Sequence, residues 1–198
     1  MHALARLVPL LLAALLAAAR APVRAAEEAA ALETAQSLVE GAHGALAAEG
    51  LTAEERDARL REAVAEAFAF DIWERFLLGD RAEIFTEEER AAFRARLPGF
   101  LAHLYKSQFG KGLEAKPEIL GTRPARRDIL VRAEIPRADG RPLPVDWRIR
   151  DMGEAGHEVI DVMVGGVSFL VLKREEFGAI LEERGVEGLL GYMHSHSI

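Results

Sequence analysis

The chain has 198 residues, half of them hydrophobic, and a formal net charge of −7. That length supports one domain with a real core, and the acidic balance argues against a nucleic-acid partner, whose capture needs a basic patch. Cysteine is absent, which excludes disulfides, thiol chemistry and cysteine-ligated zinc.

Arg6 precedes an apolar run from Leu7 to Ala19, and Arg20-Ala-Pro-Val-Arg-Ala-Ala follows it. The run is shorter than the roughly 20 residues that cross a bilayer core. A charged start, a short apolar middle and a small-residue end predict a secretory signal peptide over residues 1–25, with Val23 and Ala25 before the cleaved bond. An uncleaved anchor is the alternative. Cleavage removes three arginines and leaves residues 26–198 with a net charge of −10. No cysteine follows the run, so a lipoprotein is excluded. Residues 26–198 read as one exported domain.

Ala26 to Gly50 is helical in pattern, with Leu32, Ala35, Leu38, Val39 and Ala42 on one stripe. Thr52 and Glu55 form a capping-box signature ahead of a helix with Leu60, Val64, Ala67 and Phe68 on its apolar side. Asp71 is expected to cap a short helix from Ile72 to Leu78, stopped by Gly79. Thr86 and Glu89 repeat the capping box. The helix behind them presents Phe93, Leu97, Phe100, Leu101, Leu104 and Tyr105, and Pro98 predicts a kink or short break within it.

The second half changes period. Ile119 to Thr122 reads as a short strand, and Asp128 to Ile135 alternates, with Ile129, Val131, Ala133 and Ile135 on one face. Asp139-Gly140 predicts a hairpin turn. Leu143 to Arg150 then sets Val145, Trp147 and Ile149 against Asp146, Arg148 and Arg150. The next strand places Val159, Asp161 and Met163 opposite Ile160, Val162 and Val164. At Gly165-Gly166 the strand period stops. From Ser168 the period is helical, with Leu170, Val171, Arg174, Phe177 and Leu181 three or four apart. Gly185 breaks this helix, and a shorter helix with Leu189 and Leu190 follows. The expected architecture is α+β: an antiparallel sheet of about four strands, with N-terminal and C-terminal helices packed on one face.

No convincing catalytic set is present, and no cofactor is expected. No His-Glu-x-x-His spacing, Gly-x-Ser-x-Gly elbow or phosphate loop occurs. His194-Ser-His196 lies in a tail read as frayed, a poor metal site. Asp161 has two readings. Facing inward, its pKa would rise, as for a general base in a pocket enzyme. Facing outward, it would pair with Arg148 or Arg150. Apolar side chains stand on facing elements: Phe68, Phe76, Phe93, Phe100, Leu104 and Tyr105 on helices, and Val131, Val145, Trp147, Ile149, Ile160 and Val162 on strands. Pattern alone does not separate a filled core, such as an envelope scaffold would have, from a cavity.

Taken together, Phe70-Asp71, Leu78-Gly79, Phe93, Leu104-Tyr105, Asp139-Gly140, Val145-Asp146-Trp147-Arg148, Asp161, Gly166-Val167-Ser168 and the Phe177…Gly185-Val186-Glu187-Gly188-Leu189 helix resemble the MlaC or Ttg2D (toluene-tolerance) family. The resemblance implies a periplasmic carrier of phospholipid or a related membrane lipid. It implies partners of two kinds, an inner-membrane MlaD-like transporter component and an outer-membrane MlaA-like lipoprotein complex. It also implies an apolar acyl-chain pocket, to which the facing residues named above and Val167 are assigned. Arg148 and Lys173 are the candidate cations for a phosphate at its rim.

Overall fold

The computed structural model describes residues 7–109, 116–137 and 140–198. The first half is helical: α1 (Leu7–Ala47), α2 (Ala53–Ala67), α3 (Phe70–Leu78) and α4 (Glu87–Phe109). The strands follow as β1 (Glu118–Ala125), β2 (Asp128–Ile135), β3 (Leu143–Asp151), β4 (His157–Val164) and β5 (Val167–Ser168), and α5 (Phe169–Ser195) completes the chain. The architecture is α+β. All five strands pair in chain order and antiparallel. The sheet thus has one strand more than expected, because β5 is only two residues long and too short to show a period.

Both capping boxes form. The Glu55 amide donates to Thr52 Oγ1 at 3.2 Å, and the Thr52 amide to Glu55 Oε2 at 2.7 Å. Thr86 and Glu89 make the same reciprocal pair at the start of α4. Asp71 does not cap α3. The helix begins two residues earlier, at Phe70 with Ala69 at its N-cap, and Asp71 instead meets Arg75 one turn on. Pro98 does not break α4, which runs through it. The Asp139-Gly140 turn falls partly outside the described residues. α1 runs unbroken past the expected cleavage position, and no helix among the described residues is long and apolar enough to cross a membrane.

The inner faces of the strands carry Ile129, Val131, Ala133 and Ile135 on β2 and Val145, Trp147 and Ile149 on β3, all buried. The register sets Val131 opposite Trp147 and Ala133 opposite Val145. β4 departs from its sequence pattern. Arg148 pairs with Asp161 but Ile149 pairs with Val159, so Ile160 is an extra residue in a β-bulge. The bulge shifts the alternation by one position. Val159 and Val162 therefore share the inner face, and Asp161 lies on the outer face beside Arg148. Ile160 is buried but stands apart from the main core cluster.

α1 lies across β1 to β4, and α2, α3 and α5 touch β4. Because β5 flanks only Met163 and Val164, the earlier part of β4 has no strand on that side. The α2–α3 junction covers this edge. The Ala69 amide and the Trp73 indole both donate to the Val159 carbonyl, at 3.1 and 3.2 Å, so that edge carbonyl is satisfied. Buried Glu74 ties α3 to α4 by accepting from Arg90, at 2.9 Å, and from Arg94. Phe93, Phe100 and Phe177 pack ring against ring between α4 and α5. The C-terminal residues are seated rather than frayed. The Tyr192 and His196 rings lie 4.3 Å apart, and the Ile198 amide donates to the Gly99 carbonyl.

A candidate ligand cavity at one end of the sheet

Between the sheet and the helices lies a cavity of about 560 Å³, within the range of small-molecule sites. It occupies one end of the inner face, where β2 and β4 finish and β3 begins. Ile135, Leu143, Val145, Trp147, Val162 and Val164 form its floor. Leu38, Val39 and Ala42 from α1, Val64 from α2 and Phe68 just beyond it form one wall. Leu101, Leu104 and Tyr105 of α4 form another, and Val167, Phe169, Leu172 and Lys173 close the ring from the β5–α5 corner. Val167 and Leu172 are about half exposed although they line the space, so this corner is where it meets solvent.

Not every inner-face residue reaches the void. Val131, directly opposite Trp147, and Ile149, opposite Val159, are fully buried in the core and absent from its lining. Phe68 stacks edge-on to Trp73, with centroids 5.4 Å apart, and marks the boundary between filled and open parts. Trp147 is 5% exposed and faces the open part.

The lining is nearly all apolar. Its polar groups are the Tyr105 hydroxyl, whose pKa burial pushes up to about 12, and the Lys173 ammonium. Lys173 pairs with Glu176 and lies beside the Phe169 and Phe100 rings. Burial opposes ionisation of Glu176, but hydrogen bonds from Lys173 and Tyr192 outweigh it and hold the carboxyl below its ordinary value.

Asp161 fits neither of its two readings. It faces away from the cavity, and Arg148 and Arg150 are taken by Asp128, each through a 2.6 Å bond from Nε. Asp161 instead holds the corner together. Its oxygens accept from Ser168 Oγ at 2.7 Å, the Val162 amide at 2.8 Å and the Leu170 amide at 3.2 Å. Ser168 in turn caps α5 by accepting from the Val171 amide. Burial raises the Asp161 pKa and outweighs these hydrogen bonds. Arg148, tied to Asp128 on the outer face, is absent from the lining.

A family model described as MlaC protein matches residues 36–195. The chain belongs to the MlaC family. Its fold is similar to that of the phospholipid-binding protein from Ralstonia solanacearum, solved in complex with a phospholipid. That likeness has a TM-score of 0.67 at 16% identity and covers 86% of this chain and 96% of the other. No curated protein matches the chain.

Of the residues the sequence suggests for an MlaC-type pocket, the structure brings Phe68, Leu104, Tyr105, Val145, Trp147, Val162 and Val167 around the cavity. It places Phe76, Phe93, Phe100, Val131, Ile149 and Ile160 elsewhere. Phe93 and Phe100 fill the α4–α5 interface, and Phe76 lies under the Arg174 guanidinium. Val131 and Ile149 are in the filled core, and Ile160 is the bulge residue. The Leu38, Val39 and Ala42 lining was present as a helical stripe, and Val164 and Leu143 followed from the strand period. Phe169 and Leu172 had no periodic signal, because they sit where strand gives way to helix.

Proposed function

We propose that this protein binds phospholipid, or a related membrane lipid, in the cavity at the sheet end. On this reading it carries the lipid through the periplasm between outer and inner membranes, exchanging it with an inner-membrane MlaD-like transporter component and an outer-membrane MlaA-like complex. The observation that carries the proposal is the apolar space walled by α1, α2, α4, α5 and four strands. Family membership and the phospholipid-bound structural neighbour support it. Export through a signal peptide over residues 1–25 belongs to the same reading.

The physical need is plain. Burying a methylene is worth about 0.8 kcal/mol, so two acyl chains totalling about 30 carbons would cost on the order of 25 kcal/mol to expose. A carrier must shield them along most of their length, and the Trp147 end of the sheet offers apolar walls on several sides. The proposal is tested by purifying the chain, extracting it with organic solvent and analysing the extract by mass spectrometry. Bound lipid, or uptake from phospholipid vesicles, is expected. An empty extract with no uptake contradicts the proposal. An enzyme using Asp161 as base is disfavoured by its position on the outer face, with both oxygens engaged at the corner.

A further inference from the structure

Among the described residues, Lys173 is the one charged side chain lining the cavity. Its side chain is 14% exposed. It follows Leu172 at the corner where the cavity opens. An ammonium has three donors. One reaches Glu176 Oε2 at 2.5 Å, and no other acceptor among the described residues takes the rest. The Phe169 and Phe100 ring centroids lie 5.5 and 5.7 Å from it.

This arrangement is built from below. The break at Gly185 turns the end of α5 back on itself, so the Tyr192 hydroxyl reaches the other oxygen of Glu176. Glu176 is thereby fixed, and it fixes Lys173 in turn. A wall serving hydrocarbon alone has no use for such a pair, because desolvating two charges is costly and apolar side chains of similar size pack as well. An ammonium with donors to spare beside an apolar cavity suits a ligand that joins a hydrocarbon chain to an anion.

We propose that Lys173 receives the anionic group of the ligand, phosphate or carboxylate, and so fixes its orientation, with hydrocarbon toward Trp147 and the anion at the corner. This rests on the lipid-binding reading. Glu176 has two roles in it: it positions Lys173 and competes with the ligand for the ammonium.

The test uses the full chain with three probes of matched acyl composition: dioleoylphosphatidylglycerol, dioleoylglycerol and oleate. Binding is measured for the wild type, Lys173→Gln, Lys173→Arg and Glu176→Gln, with thermal melts to verify folding. A charge-assisted hydrogen bond predicts that Lys173→Gln weakens phosphatidylglycerol binding about tenfold. Dioleoylglycerol binding is unchanged, and Lys173→Arg recovers most of the loss. Glu176→Gln frees the ammonium and tightens phosphatidylglycerol binding, whereas a purely structural ion pair would make the same change weaken both dioleoyl probes. A loss in Lys173→Gln that extends to oleate assigns the site to anions generally, and one confined to phosphatidylglycerol assigns it to phosphate. An unchanged ratio of the dioleoyl probes in Lys173→Gln overturns the proposal while leaving lipid binding intact. A wild type that takes up no probe overturns the lipid-binding reading, and this inference with it.

Discussion

Trp147 shows how one side chain divides cavity from core. It pairs across the sheet with Val131, which is fully buried, yet its own ring faces the open end. A Trp147→Arg variant places a guanidinium among apolar walls and removes the largest surface available to a hydrocarbon chain. The folded variant is expected to retain about tenfold less lipid than the wild type, read by mass spectrometry of organic extracts. Asp128 is the second informative residue, with a fully buried side chain held by two arginines. Burial opposes its ionisation, but Arg150 and Arg148 outweigh it and hold the carboxyl below its ordinary value near 3.8. A lowered folded-state pKa means a stabilising contribution present above about pH 4 and lost as pH falls through the lowered value. Asp128→Asn is expected to cost about 1–3 kcal/mol at neutral pH. Its denaturant midpoint should then fall less than that of the wild type on acidification. Asp161 contributes with the opposite sign: its pKa is raised, so its stabilising share is largest at low pH and declines as pH rises through the raised value.

Among the elements, the α4–α5 pair sets one wall of the cavity and is itself closed by the last residues of the chain. Gly99 lets the Ile198 backbone approach α4, and a Cβ there would lie 2.8 Å from the Ile198 carbonyl oxygen. That oxygen also accepts from Arg61 of α2, at 2.9 Å, so the same few atoms join three helices. Gly99→Val is expected to displace residues 197–198 and lower stability by about 1–3 kcal/mol, as overpacking commonly does. Urea denaturation measures this. An unchanged midpoint would mean the terminal contact contributes nothing to the helical layer. The β4 bulge matters at the same scale. Were Ile160 paired in regular alternation after Val159 rather than bulged out, Val162 and Val164 would turn outward and Asp161 inward, and the cavity would lose part of its floor.

Across the whole molecule, much of the fold was legible from periodicity and end signals. Thr52, Thr86 and Gly185 mark helix ends through local chemistry, and the inner faces of β2 and β3 follow from alternation. The bulge was not legible, because the residues around Ile160 keep an alternating pattern while the pairing slips by one. Ionic partners were not legible either: Arg148 and Arg150 meet Asp128 across two strands rather than Asp161 beside them, a choice made by tertiary packing. The cavity was legible only in part. Val131 and Trp147 share the inward pattern and stand opposite each other across β2 and β3, yet one is packed and the other lines open space, a difference made by the helices above them. The central claim is that acyl chains occupy that space, and photo-crosslinking tests it most directly. A phospholipid carrying a diazirine near the end of one acyl chain is loaded, irradiated and mapped by peptide mass spectrometry. The account predicts labels in the peptides bearing Val145, Trp147, Val162 or Leu104. Labels confined to peptides outside the lining, such as that of Arg123 on β1, would contradict it.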